Sequence, residues 1–306
     1  MTPTPNLQLA IDRLTAILAE PTQDTTLVPG QLTDLVDATI EQRTMMLRSA
    51  RKFGTPQYLI HEEFLWRQAD RFRAAFEGRG PTARVHYAFK ANPSATVVQV
   101  LQAAGVSADV SSGLELELAI AAGFDRIVFS GPAKTDEEMA LAVAHADRVT
   151  VHVDSPTELD RLEDTARQVG RTVRAGVRLS LTSHGAWTKF GIPPEALPDF
   201  VRRADHCRHV QLHGVQFHLS WQRLATGYEE TLADVGPALA ASVPRDGWRF
   251  IDVGGGFYPE GDEAVYPWRT PAGRLRSLLG LAPDGPDEYW RGDVLLHDVM
   301  PIELVA

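Results

Sequence analysis

Residues 107–158, SADVSSGLELELAIAAGFDRIVFSGPAKTDEEMALAVAHADRVTVHVDSPTE, pass through one cycle three times. Each pass opens on a short apolar run: Ser107–Val110, Arg126–Ser130, Arg148–Val153. Each then supplies a helix start of the Ser/Thr-x-x-Glu kind, in which a hydroxyl and a carboxylate satisfy orphan amides of the first turn. These starts are Ser112 to Glu115, Thr135 to Glu138 and Ser155 to Glu158, and the first and third helices stop at Gly123 and Gly170. Working outward, Arg84–Phe89 reads as a preceding strand. Its helix is expected to open with Asn92 as N-cap and Pro93 in the first turn, and to close at Gly105. Downstream, Thr172–Leu179, Val210–His218 and Trp248–Val253 are further strand candidates.

Strands alternating with helices imply parallel pairing, either a doubly wound sheet or an eight-stranded barrel. The barrel is favoured because polar residues recur at the carboxyl ends of the runs, where a barrel gathers its site. Lys90, Asp109, Ser130, Asp154, Arg178, His218 and Gly254 all stand there. An eighth strand is expected after about residue 285, with Val294–His297 and Met300–Leu304 as candidates. Upstream, residues 1–52 read as a partly amphipathic helical extension, with Leu32, Leu35, Val36 and Ile40 at helical spacing. Gln57–Ile60 reads as a short strand, and Glu62–Phe76 as a helix with Leu65, Ala69, Phe72 and Phe76 on one stripe. The division expected is thus 1–52 and 53–306.

Composition narrows the function classes. A net charge of −10 disfavours nucleic acid and anionic membranes as partners. No window has the ~18 uninterrupted apolar residues of a spanning helix, and the first ten residues lack the character of a secretory signal, so the expected compartment is the cytoplasm. Cys207 is the single cysteine, which excludes an intrachain disulfide and a cysteine-rich metal site. Of 30 basic residues only Lys52, Lys90, Lys134 and Lys189 are lysines, so a lysine can mark a place where an amine is required. A guanidinium forms no imine.

In the first strand, period two puts His86, Ala88 and Lys90 on one face, with a small alanine leaving room for a ring above it. An amine partly desolvated at a barrel mouth is expected to be able to attack an aldehyde. Gly254-Gly255-Gly256 can turn backbone N–H groups toward a phosphate, although such triplets also make plain tight turns. His213 and His218, five apart, fall on opposite faces of a regular strand and cannot share a metal. His213 reads as a buried structural residue, whereas His218 can lie flat on an aromatic cofactor. With no His-Glu-x-x-His motif, no metal site is expected.

His86-Tyr87-Ala88-Phe89-Lys90-Ala91-Asn92-Pro93 closely resembles the lysine motif of the diaminopimelate and ornithine decarboxylase family, the barrel-type (fold type III) pyridoxal-phosphate enzymes. Residues 108–117, residues 129–138, Lys189-Phe190-Gly191-Ile192, Gly214-Val215-Gln216-Phe217-His218 and Ile251-Asp252-Val253-Gly254-Gly255-Gly256-Phe257 continue the resemblance in the family's order. The resemblance implies a (β/α)8 TIM-type barrel holding pyridoxal 5'-phosphate. Lys90 would carry the cofactor as a Schiff base, His218 would stack on its ring, and Gly254, Gly255 and Gly256 would hold its phosphate. Asp109 would lie near the ring and Lys90, Arg178 would face the phenolic oxygen, and Glu115 would support the lysine strand. The implied activity is decarboxylation of a small amino acid, of basic or diamino type.

Two departures stand out. Leu219-Ser220-Trp221 follows the histidine where the family has Gly-Ser, and no Glu-Pro-Gly-Arg occurs for the eighth strand. Glu303 could stand in for that glutamate. The family's following β domain is also missing, so the eighth strand and that domain are expected to be absent or altered. The chain is therefore expected to work as a homodimer or with a complementing C-terminal subunit. The alternative is a truncated or split homologue that binds the cofactor or a partner subunit without turnover. A racemase on the same scaffold fits the ordered motifs less well.

Overall fold

The computed structural model describes residues 12, 14, 39–76, 83–181, 189–219 and 225–257. Of these, residues 12, 14 and 39–58 belong to one compact unit and 59–257 to another. In the first, α1 (Arg43–Phe53) ends at Gly54, whose positive φ lets its N–H reach back to Ala50 O. The side chain of Gln57 closes this end, accepting from Ser49 Oγ and donating to Gly54 O. Gln57–Ile60, expected from sequence as a short strand, is not one. Leu32, Leu35 and Val36 lie outside the described residues, as do both candidates for the eighth strand, Glu303, Ser220 and Trp221.

The second unit is an α/β barrel wall. After α2 (Glu62–Ala74) come β1 (His86–Ala88), α3 (Ala95–Ala103), β2 (Ser107–Val110), α4 (Gly113–Ala121), β3 (Ile127–Phe129), α5 (Asp136–Ala144) and β4 (Val149–Val153). They are followed by α6 (Pro156–Val169), β5 (Val173–Arg178), α7 (Leu197–His206), β6 (Val210–Gln216), α8 (Thr226–Ala241) and β7 (Phe250–Asp252). The seven strands form one parallel sheet in sequence order, the arrangement a right-twisted β/α repeat produces when it curls toward closure.

Alternation along the strands separates two layers. Val149, Val151 and Val153 of β4 are fully buried in the apolar cluster shared with Leu159 and Leu162 of α6. The intervening His152 points to the barrel interior, where it meets Gly176, Phe250 and Asp252 of other strands. Gly176 and Gly214 make room for the Phe250 ring. A Cβ on Gly214 would come within 2.3 Å of it. A second cluster joins α2 to α3 through Ala69, Val97, Leu101 and Val106, with Leu65 of the expected stripe packed against it.

The helix starts are those the Ser/Thr-x-x-Glu pattern implies, with a variation. Ser112, Thr135 and Ser155 each accept from the amide three residues on. Only Glu138 completes the reciprocal box, at Thr135 N. Glu115 and Glu158 reach one residue further back, to Ser111 N and Asp154 N, and so pin the loops that leave β2 and β4. Glu138 also takes Gly113 N, tying the β2 loop to the β3 loop. Gly131 lies against the first of these loops so closely that a Cβ would stand 2.0 Å from Ser111 O.

Three local expectations change. Asn92 does not cap α3: its Oδ1 accepts from Ser94 N in a turn, and Pro93 keeps Asn92 extended, so the helix begins after Ser94. Lys90 is not the last residue of an extended strand but lies in a 3-10 turn, Phe89–Ala91, just beyond β1. Strand alternation therefore does not set its direction. At β6 the register passes from Ala175↔Leu212 to Gly176↔Gly214, which makes His213 the extra residue of a bulge. His213 is partly exposed rather than buried, and His218 lies beyond the end of β6.

Candidate active site at the carboxyl ends of the strands

The carboxyl ends of β2, β5 and β7 bring Asp109, Arg178 and Asp252 together, with Lys90 and His218 supplied by the segments after β1 and β6. Their fields overlap. Arg178 is influenced by Asp154, Asp109 and Asp252 at once, and the Lys90 ammonium acts on both Asp109 and His218. Lys90 is exposed at this mouth rather than partly desolvated, because the 3-10 turn carries it past the end of β1.

Arg178 is held by what packs over it. Phe190 places its ring 5.3 Å from the guanidinium. Gly191 has φ 95°, and a Cβ there would stand 2.7 Å from Arg178 O, so only glycine lets the chain lie against it. Ile192 N then donates to Arg178 O at 2.9 Å. The short block Lys189-Phe190-Gly191-Ile192 thus serves to cover and seat an arginine.

Asp109 accepts from Ser130 Oγ at 2.5 Å. Burial raises its carboxyl to about 6, the nearby Asp252 adding to the shift while Ser130, His86 and Lys90 oppose it. Asp252 is likewise raised to about 6 by burial, against the pull of Gly254 N–H and Arg178. An acid whose folded value exceeds its unfolded one favours the fold when protonated. For Asp109 that contribution is whole below about 3.8 and lost as pH rises through about 6. Asp109→Asn, which mimics the protonated form, should therefore gain melting temperature relative to the parent between about pH 4 and about pH 7. A difference that stays flat or falls would contradict this electrostatic picture.

His218 and His152 stay neutral. Burial, with Lys90 and Arg178 adding to it, lowers His218 to about 4. Its Nδ1 lies 3.3 Å from Gly255 N and accepts that hydrogen, which leaves the proton on Nε2. His152 falls to about 3 through burial, aided by the charges of Lys134, His86 and Arg178. Neither of its ring nitrogens has a hydrogen-bond partner among the described residues, and Nδ1 stands 3.6 Å from Asp252 Oδ2.

The glycine turn follows β7. Gly254 and Gly256 have φ of 73° and 94°, and a Cβ on Gly254 would meet Phe217 O at 2.6 Å, so these positions require glycine. Gly254 N donates to Asp252 Oδ1 at 2.8 Å and Gly255 N to His218. Gly256 N has no partner among the described residues.

Residues 63–277 match the family model for the pyridoxal binding domain of pyridoxal-dependent decarboxylases. The chain belongs to the pyridoxal-dependent decarboxylase family. It is 30% identical over 248 residues to the diaminopimelate decarboxylase of Aquifex aeolicus, covering 75% of this chain and 57% of that protein. It is 31% identical over 245 residues to the Bacillus subtilis (strain 168) enzyme of the same name, covering 71% and 54%. Among solved structures, the lysine/ornithine decarboxylase of Vibrio vulnificus complexed with putrescine superposes with a TM-score of 0.62 at 25% identity, covering 80% of this chain and 64% of that one. The chain spans about half the length of the curated relatives it matches.

The family's cofactor is pyridoxal 5'-phosphate, and the donor set at this decarboxylase-family mouth suits it. An exposed primary amine, a neutral imidazole, a seated guanidinium and a glycine turn with an amide unpartnered among the described residues are gathered at one end of the sheet. Glu115 is the exception among the residues singled out from sequence, since its carboxylate binds Ser111 N and so serves the β2 loop. Sequence reading passed over His152 and Asp252. Period-two alternation applied to β4 and β7, as it was to β1, would have turned both inward.

Proposed function

We propose that this chain is the cofactor-binding barrel of an amino-acid decarboxylase in which Lys90 Nζ anchors the aldehyde of pyridoxal 5'-phosphate. His218 faces the pyridine ring, Arg178 the phenolic oxygen, Asp109 the ring and Lys90, and the Gly254–Gly256 turn takes the phosphate. The observation that carries this reading is the overlap of the Lys90, Asp109, Arg178 and His218 fields at the carboxyl ends of parallel strands. When bound, the cofactor supplies an aldehyde for the substrate amine and a ring that accepts the electron pair left as carbon dioxide departs.

The chain's own groups have separate tasks. Asp109, titrating at about 6, can hold or release a proton beside Lys90 near neutral pH. His218, neutral with Nδ1 occupied, offers an uncharged face that does not compete with Arg178 for an anionic oxygen. Once substrate has replaced it, the freed Lys90 amine can carry the proton to the carbon that lost its carboxylate. Basic and diamino acids are the proposed substrates, in keeping with the names of the relatives.

A second reading, cofactor binding without turnover unless a partner subunit complements the site, is favoured by Leu219-Ser220-Trp221 standing where the family has Gly-Ser after the histidine. Incubating the chain with pyridoxal 5'-phosphate and lysine, ornithine or diaminopimelate, and measuring carbon dioxide, tests the two. Release supports the decarboxylase. A borohydride-stable adduct with no release supports the second reading, and the absence of any adduct defeats both.

A further inference from the structure

Three side chains grip the glycine turn after β7, and one of them lies outside the site described above. Asp252 holds Gly254 N and His218 holds Gly255 N. The third is Tyr228, in the first turn of α8, whose phenolic hydroxyl donates to Gly255 O at 3.1 Å. Tyr228 is 7% exposed and stacks on Phe257, the residue after the turn, with ring centroids 5.2 Å apart and planes at 16°. Burial pushes the phenol up to about 12, so it remains a donor at any working pH.

The Gly255–Gly256 peptide is trans, and in a trans unit the carbonyl and the amide hydrogen point in opposite directions. Fixing Gly255 O therefore fixes the direction of Gly256 N–H, aiming it away from Tyr228. That amide is the one in the triplet with no partner among the described residues. Positive φ at Gly254 and Gly256 lets the intervening peptides swing with little steric resistance, so glycine alone does not define the direction.

We infer that Tyr228 is a positioning residue for phosphate recognition, its hydroxyl locking the Gly255–Gly256 peptide so that Gly256 N–H is presented to the phosphate of the cofactor. The inference rests on the reading of Gly254–Gly256 as the phosphate holder. Tyr228→Phe keeps the ring and its stack and removes only the hydroxyl.

The test compares dissociation constants of pyridoxal 5'-phosphate and of pyridoxal, its phosphate-free counterpart, for the parent chain and the variant. The parent should prefer the phosphorylated form. In Tyr228→Phe the affinity for pyridoxal 5'-phosphate should fall about tenfold, the worth of one well-made hydrogen bond, while that for pyridoxal stays within about twofold. Tyr228→Leu, which also abolishes the stack, should lose no more of that preference than Tyr228→Phe, showing that the hydroxyl and not the packing is responsible. An unchanged preference in Tyr228→Phe, or an equal loss for both ligands, overturns the assignment. A parent chain that does not distinguish the ligands overturns the phosphate reading of the turn itself, and the role of Tyr228 with it.

Discussion

Replacing Lys90 with alanine should abolish the borohydride-stable adduct with pyridoxal 5'-phosphate and lower decarboxylation by a factor on the order of a thousand or more. Lys90→Arg should do the same, since a guanidinium keeps the positive charge beside Asp109 but cannot condense with an aldehyde. Lys134 offers no substitute, being buried with its ammonium committed to three acceptors. Spectral titration of parent and variants with the cofactor reads the adduct. A Lys90→Ala adduct as abundant as that of the parent would remove the basis of the proposed chemistry.

The second large effect is on stability. Lys134 Nζ donates to Gly131 O at 2.6 Å, to His152 O at 2.5 Å and to Glu158 Oε1 at 3.3 Å, so all three of its protons are used. Phe129 adds its ring face 5.0 Å away. One ammonium thereby joins the loop after β3, the inner end of β4 and the start of α6, where a planar guanidinium could not reach three convergent acceptors. Burial pushes Lys134 down and Glu158 up, each opposed by the charge of the other. Lys134→Met leaves a carboxylate and two carbonyls buried without their donor and should cost about 3–5 kcal/mol, a large part of the ~5–15 kcal/mol that holds a typical fold together. Lys134→Met with Glu158→Gln should recover part of that loss. Chemical denaturation measures both, and a single variant within about 1 kcal/mol of the parent would mean the clasp contributes little.

The rhythm of the fold was legible because its signals are local. A hydroxyl before each helix, a glutamate three residues on and a terminal glycine such as Gly170 act within a few residues, and the structure places α4, α5 and α6 where they direct. The same locality explains what was missed. The scarcity of lysine drew attention to Lys90, yet Lys134 obeys the same logic for a structural reason, visible only when β3, β4 and α6 meet. The bulge at His213 depends on how β5 and β6 pair, and no residue at that position announces it. Asn92 and Pro93 looked like a helix start, and their own side-chain turn postponed it to Ser94.

The candidate site shows the same division. Lys90, Asp109, Arg178, His218 and the glycines stand out by their places at strand ends. The buried His152 beside Asp252, and the tyrosine hydroxyl on Gly255 O, arise from contacts across the interior or between elements far apart in sequence.

The most direct measurement is to reduce the complex of the full chain and pyridoxal 5'-phosphate with borohydride, digest it and locate the added mass. With only four lysines present the assignment is unambiguous. The adduct is expected on the peptide containing Lys90. Its appearance on Lys52, Lys134 or Lys189 instead, or on no lysine, would contradict the claim that the amine after β1 is where the cofactor is joined.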